Sequence, residues 1–405
     1  MIETTRFSSL EAKSVQYWIL LAALGFAAVA GYLASHHMDS HGHYISGMSN
    51  QIVWGFPHVI AIFLIVAASG ALNVASISSV FGKYDYKPLA RLSALLAIAL
   101  LVGGLAILVL DLGRPDRLIV AMTKYNFKSI FAWNIFLYTG FIVITGIYLW
   151  MMMERKMNKF SKTAGFFAFI WRLILTTGTG SIFGFLVARQ AYDAAIMAPM
   201  FIIMSFAFGM AVFILVLQFS YKWSDRNLGD AMLDKLRKLL GIFVAAVLYF
   251  VIAQHLTNLY ATEHHGIEKF ILKDGGIYPF LFWFVQIFLG TLFPLALLLI
   301  KPMSQSRCML KLASWLVIIG GLAQLYVIII GGQAYPLEMF PGYEVSSSFY
   351  DGVVAEYAPS IWEILLGIGG TCIALLIVAV ALAVLDFLPE SLSDKALELN
   401  SAVSS

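Results

Sequence analysis

The chain has 405 residues, of which 60% are apolar and only 12% charged, where a soluble domain carries about a quarter charged residues. With a mean hydropathy of +0.85, a water-soluble globular enzyme is excluded. Lys and Arg number 26 against 23 Asp and Glu, too even a balance for a nucleic-acid binder, and residence in membrane lipid is the class that remains. Cys308 and Cys372 lie in separate apolar regions and cannot supply the four thiolates that an iron–sulfur cluster usually needs. Any such cluster must belong to a partner.

Apolar runs of roughly twenty residues, the length that crosses ~30 Å of hydrocarbon, predict ten helices: Gln16 to Ala34, Ile52 to Val80, Leu89 to Leu110, Ser129 to Met153, Thr163 to Val187, Ala198 to Ser220, Leu239 to Tyr260, Ile277 to Ile300, Leu312 to Gly331 and Ser360 to Leu385. The runs are continuous and do not alternate with period two, which argues against a β-barrel. The expected fold is an all-α integral membrane bundle without a repeat array or a separate soluble domain. Met1 to Val15 is long and weakly basic, so the first span is expected to be an uncleaved signal-anchor.

Eighteen Lys and Arg fall in loops and tails on one side of this arrangement and seven on the other. Positive residues stay cytoplasmic, so both termini are predicted cytoplasmic and the odd-numbered loops external, in the inner membrane. The external loop from Ser35 to Gln51 carries His36, His37, His41 and His43 and reads as a wet loop or a metal-holding segment. The loop from Gly332 to Pro359 has Glu338, Glu344, Asp351 and Glu356 without Lys or Arg, which suits a docking surface or a solvated connector.

Ionisable side chains inside a span cost several kcal/mol unless paired and are functional candidates. At ~1.5 Å per residue, His58 lies ~9 Å below the outer end of the second span and His255 ~8 Å below that of the seventh. Asn134, Gln254, Asn258, Gln324 and Glu363 fall at similar depth, with Asp111 at the outer end of the third span. Three readings fit this set: a quinone site in which imidazole or carboxylate bonds the ring and exchanges its proton, a haem held by His58 and His255, or groups that satisfy one another between helices. Arg172, ~14 Å deep by helix rise, cannot lose its proton and needs carboxylate, carbonyls or water; with Asn73 and Gln286 it could line a hydrated proton path.

Between the third and fourth spans stand Asp111-Leu112-Gly113-Arg114-Pro115-Asp116-Arg117, then Tyr125, Asn126 and Lys128. A salt-bridged turn accounts for the charges but not for four of the seven external cations crowding one loop. This segment resembles the DLGRPxR signature of NrfD/PsrC-like membrane subunits, and Asn50 to His58 looks like the opening of that family's first core helix. The resemblance covers most of the chain. It implies a core of two four-helix bundles, the second to fifth and sixth to ninth spans, and divides the chain at 1–51, 52–190, 191–335 and 336–405. The ten-span form is similar to DsrP-type subunits of DsrMKJOP complexes in sulfur metabolism and anaerobic respiration.

The resemblance further implies a subunit that exchanges electrons between the quinone pool, menaquinone or ubiquinone, and an extracytoplasmic four-cluster iron–sulfur protein, with cytochrome and other membrane subunits in the complex. Such subunits bind no haem or cluster of their own. His58, Asp111, Arg114, Asp116 and Tyr125 become the expected quinone site, to which depth alone adds His255 and Asn258; Trp54 and Trp133 are candidate ring contacts. A secondary transporter and a purely structural anchor are the alternatives. The charge asymmetry predicts that a phosphatase active only outside the cytoplasm is inactive when fused after Ser405 and active when fused after Glu263; the reverse pattern, read by enzyme assay on intact cells, would invert the topology.

Overall fold

The computed structural model describes residues 6–10, 14–337 and 352–394. Ten helices long and apolar enough to cross a membrane follow in order: Val15–His41, Phe56–Ser79, Tyr84–Leu110, Ile130–Met153, Asn158–Gly184, Met197–Trp223, Asp230–Tyr260, Ile277–Leu299, Arg307–Ala334 and Ile361–Val384. They are the first to tenth spans below. The chain is thus an all-α multi-pass membrane protein, with spans of 23 to 31 residues that exceed what ~30 Å of hydrocarbon needs. Among the described residues, β structure is confined to two short pairings, Phe7–Ser8 antiparallel to Leu388–Pro389 and Asn227–Leu228 parallel to Ser391–Leu392.

Those pairings bring the described parts of both chain ends to one end of the bundle, where Arg226 ties them. Its guanidinium donates to the carbonyls of Ser8, Ser9 and Leu388 and to the Ser8 hydroxyl, at 2.7 to 3.3 Å. Arg91 lies 3.9 Å over the Phe7 ring and donates to the Asp386 carbonyl. These cations satisfy backbone groups that no regular sheet reaches.

The second span is the centre of the molecule: its most apolar stretch is 89% buried, against 17% for the first span. It packs on the third, fifth, sixth, ninth and tenth spans. Second to fifth spans form one ring of neighbours and sixth to ninth another, joined where the second span crosses the sixth. Gly70 and Gly209 meet backbone to backbone at that crossing. A Cβ on Gly70 would overlap the Ser205 carbonyl oxygen, and one on Gly209 the Ala71 nitrogen. The first and tenth spans pack on each other, Gly31 facing the Gly369 Cα, and the tenth lies against the third through Gly103 and Gly370.

Two departures from the expected elements have local causes. The first span does not stop at Ala34 but runs to His41, ending where Gly42 turns with φ +91°. His36, His37 and His41 are therefore helical and do not belong to a wet loop. His37 lies against His41 and Trp362 with tilted rings, centroids 4.1 and 4.2 Å away, and no group of three or more metal-ligating side chains occurs among the described residues. The second span starts at Phe56, four residues after the expected Ile52, because Ser49 and Ile52 close a turn and the N–H groups of Val53 and Trp54 are bound by Gln333. It also breaks at Leu72, where the Ser93 hydroxyl bridges the gap, donating to the Ala71 carbonyl and accepting from the Ala75 N–H. Of the acidic loop residues, Glu338, Glu344 and Asp351 lie outside the described residues.

Gly70→Val is expected to cost at least about 3 kcal/mol by driving a side chain into the backbone of the sixth span, read as a lowered Tm of the purified protein in detergent; an unchanged Tm would mean that the bundles can slide apart without loss.

Candidate functional site

The third span ends in a short series of steps that place a carboxylate. Asp111 closes the helix with its N–H on the Ile107 carbonyl, Gly113 turns with φ +66°, and Pro115 prevents continuation. The Asp111 side chain points back into the bundle and is fully buried, with His58 Nδ1 at 3.0 Å from Oδ2. The carboxylate lies off the axis of the ring N–H, so the contact is not an aligned hydrogen bond, and neither Asp111 oxygen accepts a hydrogen bond from a described residue. A buried carboxylate with both oxygens open is costly and poised to accept from a ligand hydroxyl. His58 itself is one-fifth exposed, with Nε2 free of any described partner.

Beside this pair Trp54 joins a cluster of rings, 6.5 Å from His58 and about as far from Phe131, Phe183 and Tyr192. Trp54 is held by its backbone: Gln333 Oε1 accepts from the N–H groups of Val53 and Trp54, and Gln333 Nε2 donates to the Trp54 carbonyl. Arg189 then donates to the carbonyls of Gln333 and Gln51 at 2.8 and 2.7 Å. Burial pushes its pKa below the ordinary guanidinium range. The loop before the second span, the end of the ninth and the connection after the fifth are thereby fastened at the same end as His58. The Tyr192 hydroxyl donates to the Ile329 carbonyl, completing the wall.

Next to the start of the second span stands Glu363, fully buried at the N-terminus of the tenth span. It forms a capping box with Ser360 and also accepts from the Gly47 N–H at 2.7 Å and from the Tyr357 hydroxyl at 2.7 Å, which in turn accepts from the Phe56 N–H. Burial, reinforced by Glu363, raises the Tyr357 phenol above its ordinary range, so it stays a donor.

The remaining expected residues do not all converge. Arg114 and Asp116 pair with each other at 2.9 Å, both more than half exposed, and this bond holds Asp116 below the usual carboxylate range. Tyr125 stacks on Phe136 with centroids 4.2 Å apart. His255 and Asn258 belong to the other bundle, where both bind Glu268: His255 Nδ1 lies 2.7 Å from Oε2 and Asn258 Nδ2 donates to Oε1 at 2.8 Å. No hydrogen bond, ion pair or ring contact of the His58 pair involves a residue that binds the His255 pair. Each histidine thus faces a carboxylate of its own bundle, His58 that of Asp111 and His255 that of Glu268.

Arg172 is 2% exposed and finds no carboxylate among the described residues. Its guanidinium reaches the Ser69 carbonyl at 3.5 Å and lies over the rings of Phe169 and Phe206, at 4.9 and 5.1 Å, while Nε has no partner. Asn73, one turn from Ser69, has an unpartnered Nδ2. Gln286 lies elsewhere, in the second bundle beside His255. Glu268, Gln333 and Tyr357 were not singled out from the sequence: they lie in or beside loops, where a polar residue is ordinary.

Tyr357→Phe removes two hydrogen bonds and leaves a buried carboxylate oxygen and the Phe56 N–H unsatisfied. The expected cost is about 2–4 kcal/mol, measured as a fall in thermal or denaturant stability, whereas a loss under about 0.5 kcal/mol would mean that water replaces the phenol.

Comparison with known proteins agrees with this architecture. The chain is 28% identical over 398 residues to the Hdr-like menaquinol oxidoreductase integral membrane subunit of Archaeoglobus fulgidus, covering 97% of this chain and 99% of the relative. It is 23% identical over 406 residues to a subunit of the selenate reductase of Mesobacillus selenatarsenatis, covering 90% and 93%. Residues 45–336, which span both bundles and every side chain of the His58 and His255 pairs, match the family described as polysulphide reductase, NrfD, and the chain belongs to that family.

Proposed function

We propose that this protein is the membrane subunit at which a redox complex exchanges electrons with the quinone pool, and that the ring is handled by His58 and Asp111. The observation that carries this is the fully buried Asp111 carboxylate with both oxygens open, 3.0 Å from an imidazole. A quinol has two hydroxyl donors and must lose two protons and two electrons to become a quinone. Asp111 can accept a hydrogen bond from one hydroxyl, His58 can take that proton through Nε2 while the neighbouring carboxylate stabilises the imidazolium, and the proton of the second hydroxyl leaves to water. The reverse sequence serves quinone reduction. Trp54 supplies apolar contact to the ring beside them.

Family membership and the relatives' names support a quinone-dependent reductase or oxidase complex, and the name of the archaeal relative supports menaquinone as the quinone. The electrons then pass to a peripheral iron–sulfur protein. In the topology proposed from the loop charges, with cytoplasmic termini, this partner docks outside, on the face that carries Arg114, Asp116 and Tyr125. The exposed Arg114–Asp116 pair is assigned to the rim of the site and not to the ring. Sulfur compounds as terminal substrates follow from the DsrP-like resemblance.

Proton movement is assigned to the Arg172 region. Arg172 Nε and Asn73 Nδ2, both buried and unpartnered, are donors that water in the break of the second span would satisfy. Arg172→Leu is expected to abolish proton movement coupled to quinone turnover in liposomes while electron transfer persists; unchanged coupling would remove Arg172 from the path.

The decisive measurement is a fluorescence-quench titration of a quinol analogue against the purified complex. His58→Ala and Asp111→Leu should each weaken binding about 10- to 100-fold, as loss of a hydrogen bond to a charged group does. Wild-type affinity in either still-folded variant would take the ring away from this pair.

A further inference from the structure

The second bundle holds a histidine–carboxylate pair of its own, and the surrounding backbone is unusual. Three π-helical segments occur among the described residues: Phe270–Asp274, Leu281–Leu292 and Val327–Gly331. π-Helical turns are poorer than α-helical ones and mark functional sites more often than chance. All three border one cleft: Ile271 lines it from the first, Phe282 and Gln286 from the second, Val327 and Ile328 from the third. His255 stands in the same cleft, with the Phe282 ring edge-on at 4.6 Å. The enclosed space is about 20 Å³, enough for a water molecule, behind a mouth at which His255 is reached.

The polar chemistry converges there as well. Glu268 is fully buried and fastened by two bonds, from His255 Nδ1 and Asn258 Nδ2, so the imidazole is oriented with Nε2 left for a ligand. His255 is 15% exposed and so reachable from the mouth. Behind it Gln254, Gln286 and Gln324 are 7%, 4% and 3% exposed. The amides of Gln254 and Gln286 make no hydrogen bond to a described residue, and that of Gln324 reaches only the Met200 sulfur at 3.9 Å. Such amides in an otherwise apolar recess are costly without a guest. A second recess that shares Gln286 and Gln324 and is bordered by Thr291 continues it inward.

We infer that the second bundle carries a second quinone-class site, distinct from the His58 pair, in which His255 Nε2 bonds a ring oxygen, Phe282 contacts the ring edge and the glutamine amides hold the water that exchanges its proton. The inference rests on the reading of His58 and Asp111 as a quinone pair, because the same imidazole–carboxylate chemistry, beside an aromatic ring and below the same end of the bundle, selects the same ligand class.

The test is the stoichiometry of HQNO, a heptyl-hydroxyquinoline N-oxide, bound by the purified complex in nanodiscs. Two equivalents are expected for wild type, one each for His58→Ala and His255→Gln, and none for the double variant. Should His255→Gln disturb folding, Gln286→Leu leaves the His255–Glu268 contact untouched and should weaken the second equivalent at least tenfold. One wild-type equivalent that His58→Ala abolishes and both His255→Gln and Gln286→Leu leave intact overturns the second site and spares the first. A wild type that binds none removes both.

Discussion

Hydrocarbon offers no water to solvate a charge, so each ionisable group carried into the bundle must find its compensation inside the protein. Four buried charges meet this demand differently. Glu363 is saturated by hydrogen-bond donors at a helix N-terminus. Glu268 has an imidazole and an amide. Arg172 has one carbonyl and two aromatic faces, a weak substitute for a counter-ion. Asp111 has only an off-axis imidazole. The order runs from structural to chemically available, and the least satisfied groups are those to which chemistry is assigned.

Backbone contact makes the rest possible. Gly70 on Gly209, Gly290 on Gly320 and Gly31 on Gly369 bring helices together without intervening side chains, the usual route to helix association where lipid removes the hydrophobic drive. The break at Leu72 is closed from the third span, whose Ser93 reaches both sides of it. In the second bundle the same economy of side chains at Gly290 accompanies the long π segment, from which Gln286 and Phe282 line the cleft.

The two histidine pairs lie in separate bundles, yet one seam passes between them. Gln333 at the end of the ninth span fixes Trp54 in front of His58, and Ile329, in the π segment bordering the second cleft, receives both Gln333 and the Tyr192 hydroxyl. A change of register in that segment would be felt at Trp54. This seam is held by hydrogen bonds to backbone carbonyls, with Arg189 spanning the two sides, so neither bundle's end can move without breaking charge-assisted bonds.

Ten spans and the all-α class were legible in the sequence because hydrophobic length is a local property, and the Asp111-to-Arg117 segment pointed to the family because a helix stop, a turn and four charges sit within seven residues. Depth counting placed His58 and His255 at one level and Asp111 at the outer end of its span, since rise per residue is fixed. Depth carries no angular or lateral information, however. Whether His58 faces Asp111 or His255 depends on which helices are neighbours, and the tertiary structure gave each histidine its own carboxylate. Glu268, unremarked in a loop, became a buried partner, and Gln286 moved from Arg172's company to that of His255. Sequence sets which groups are expensive in a membrane; only packing decides who compensates whom.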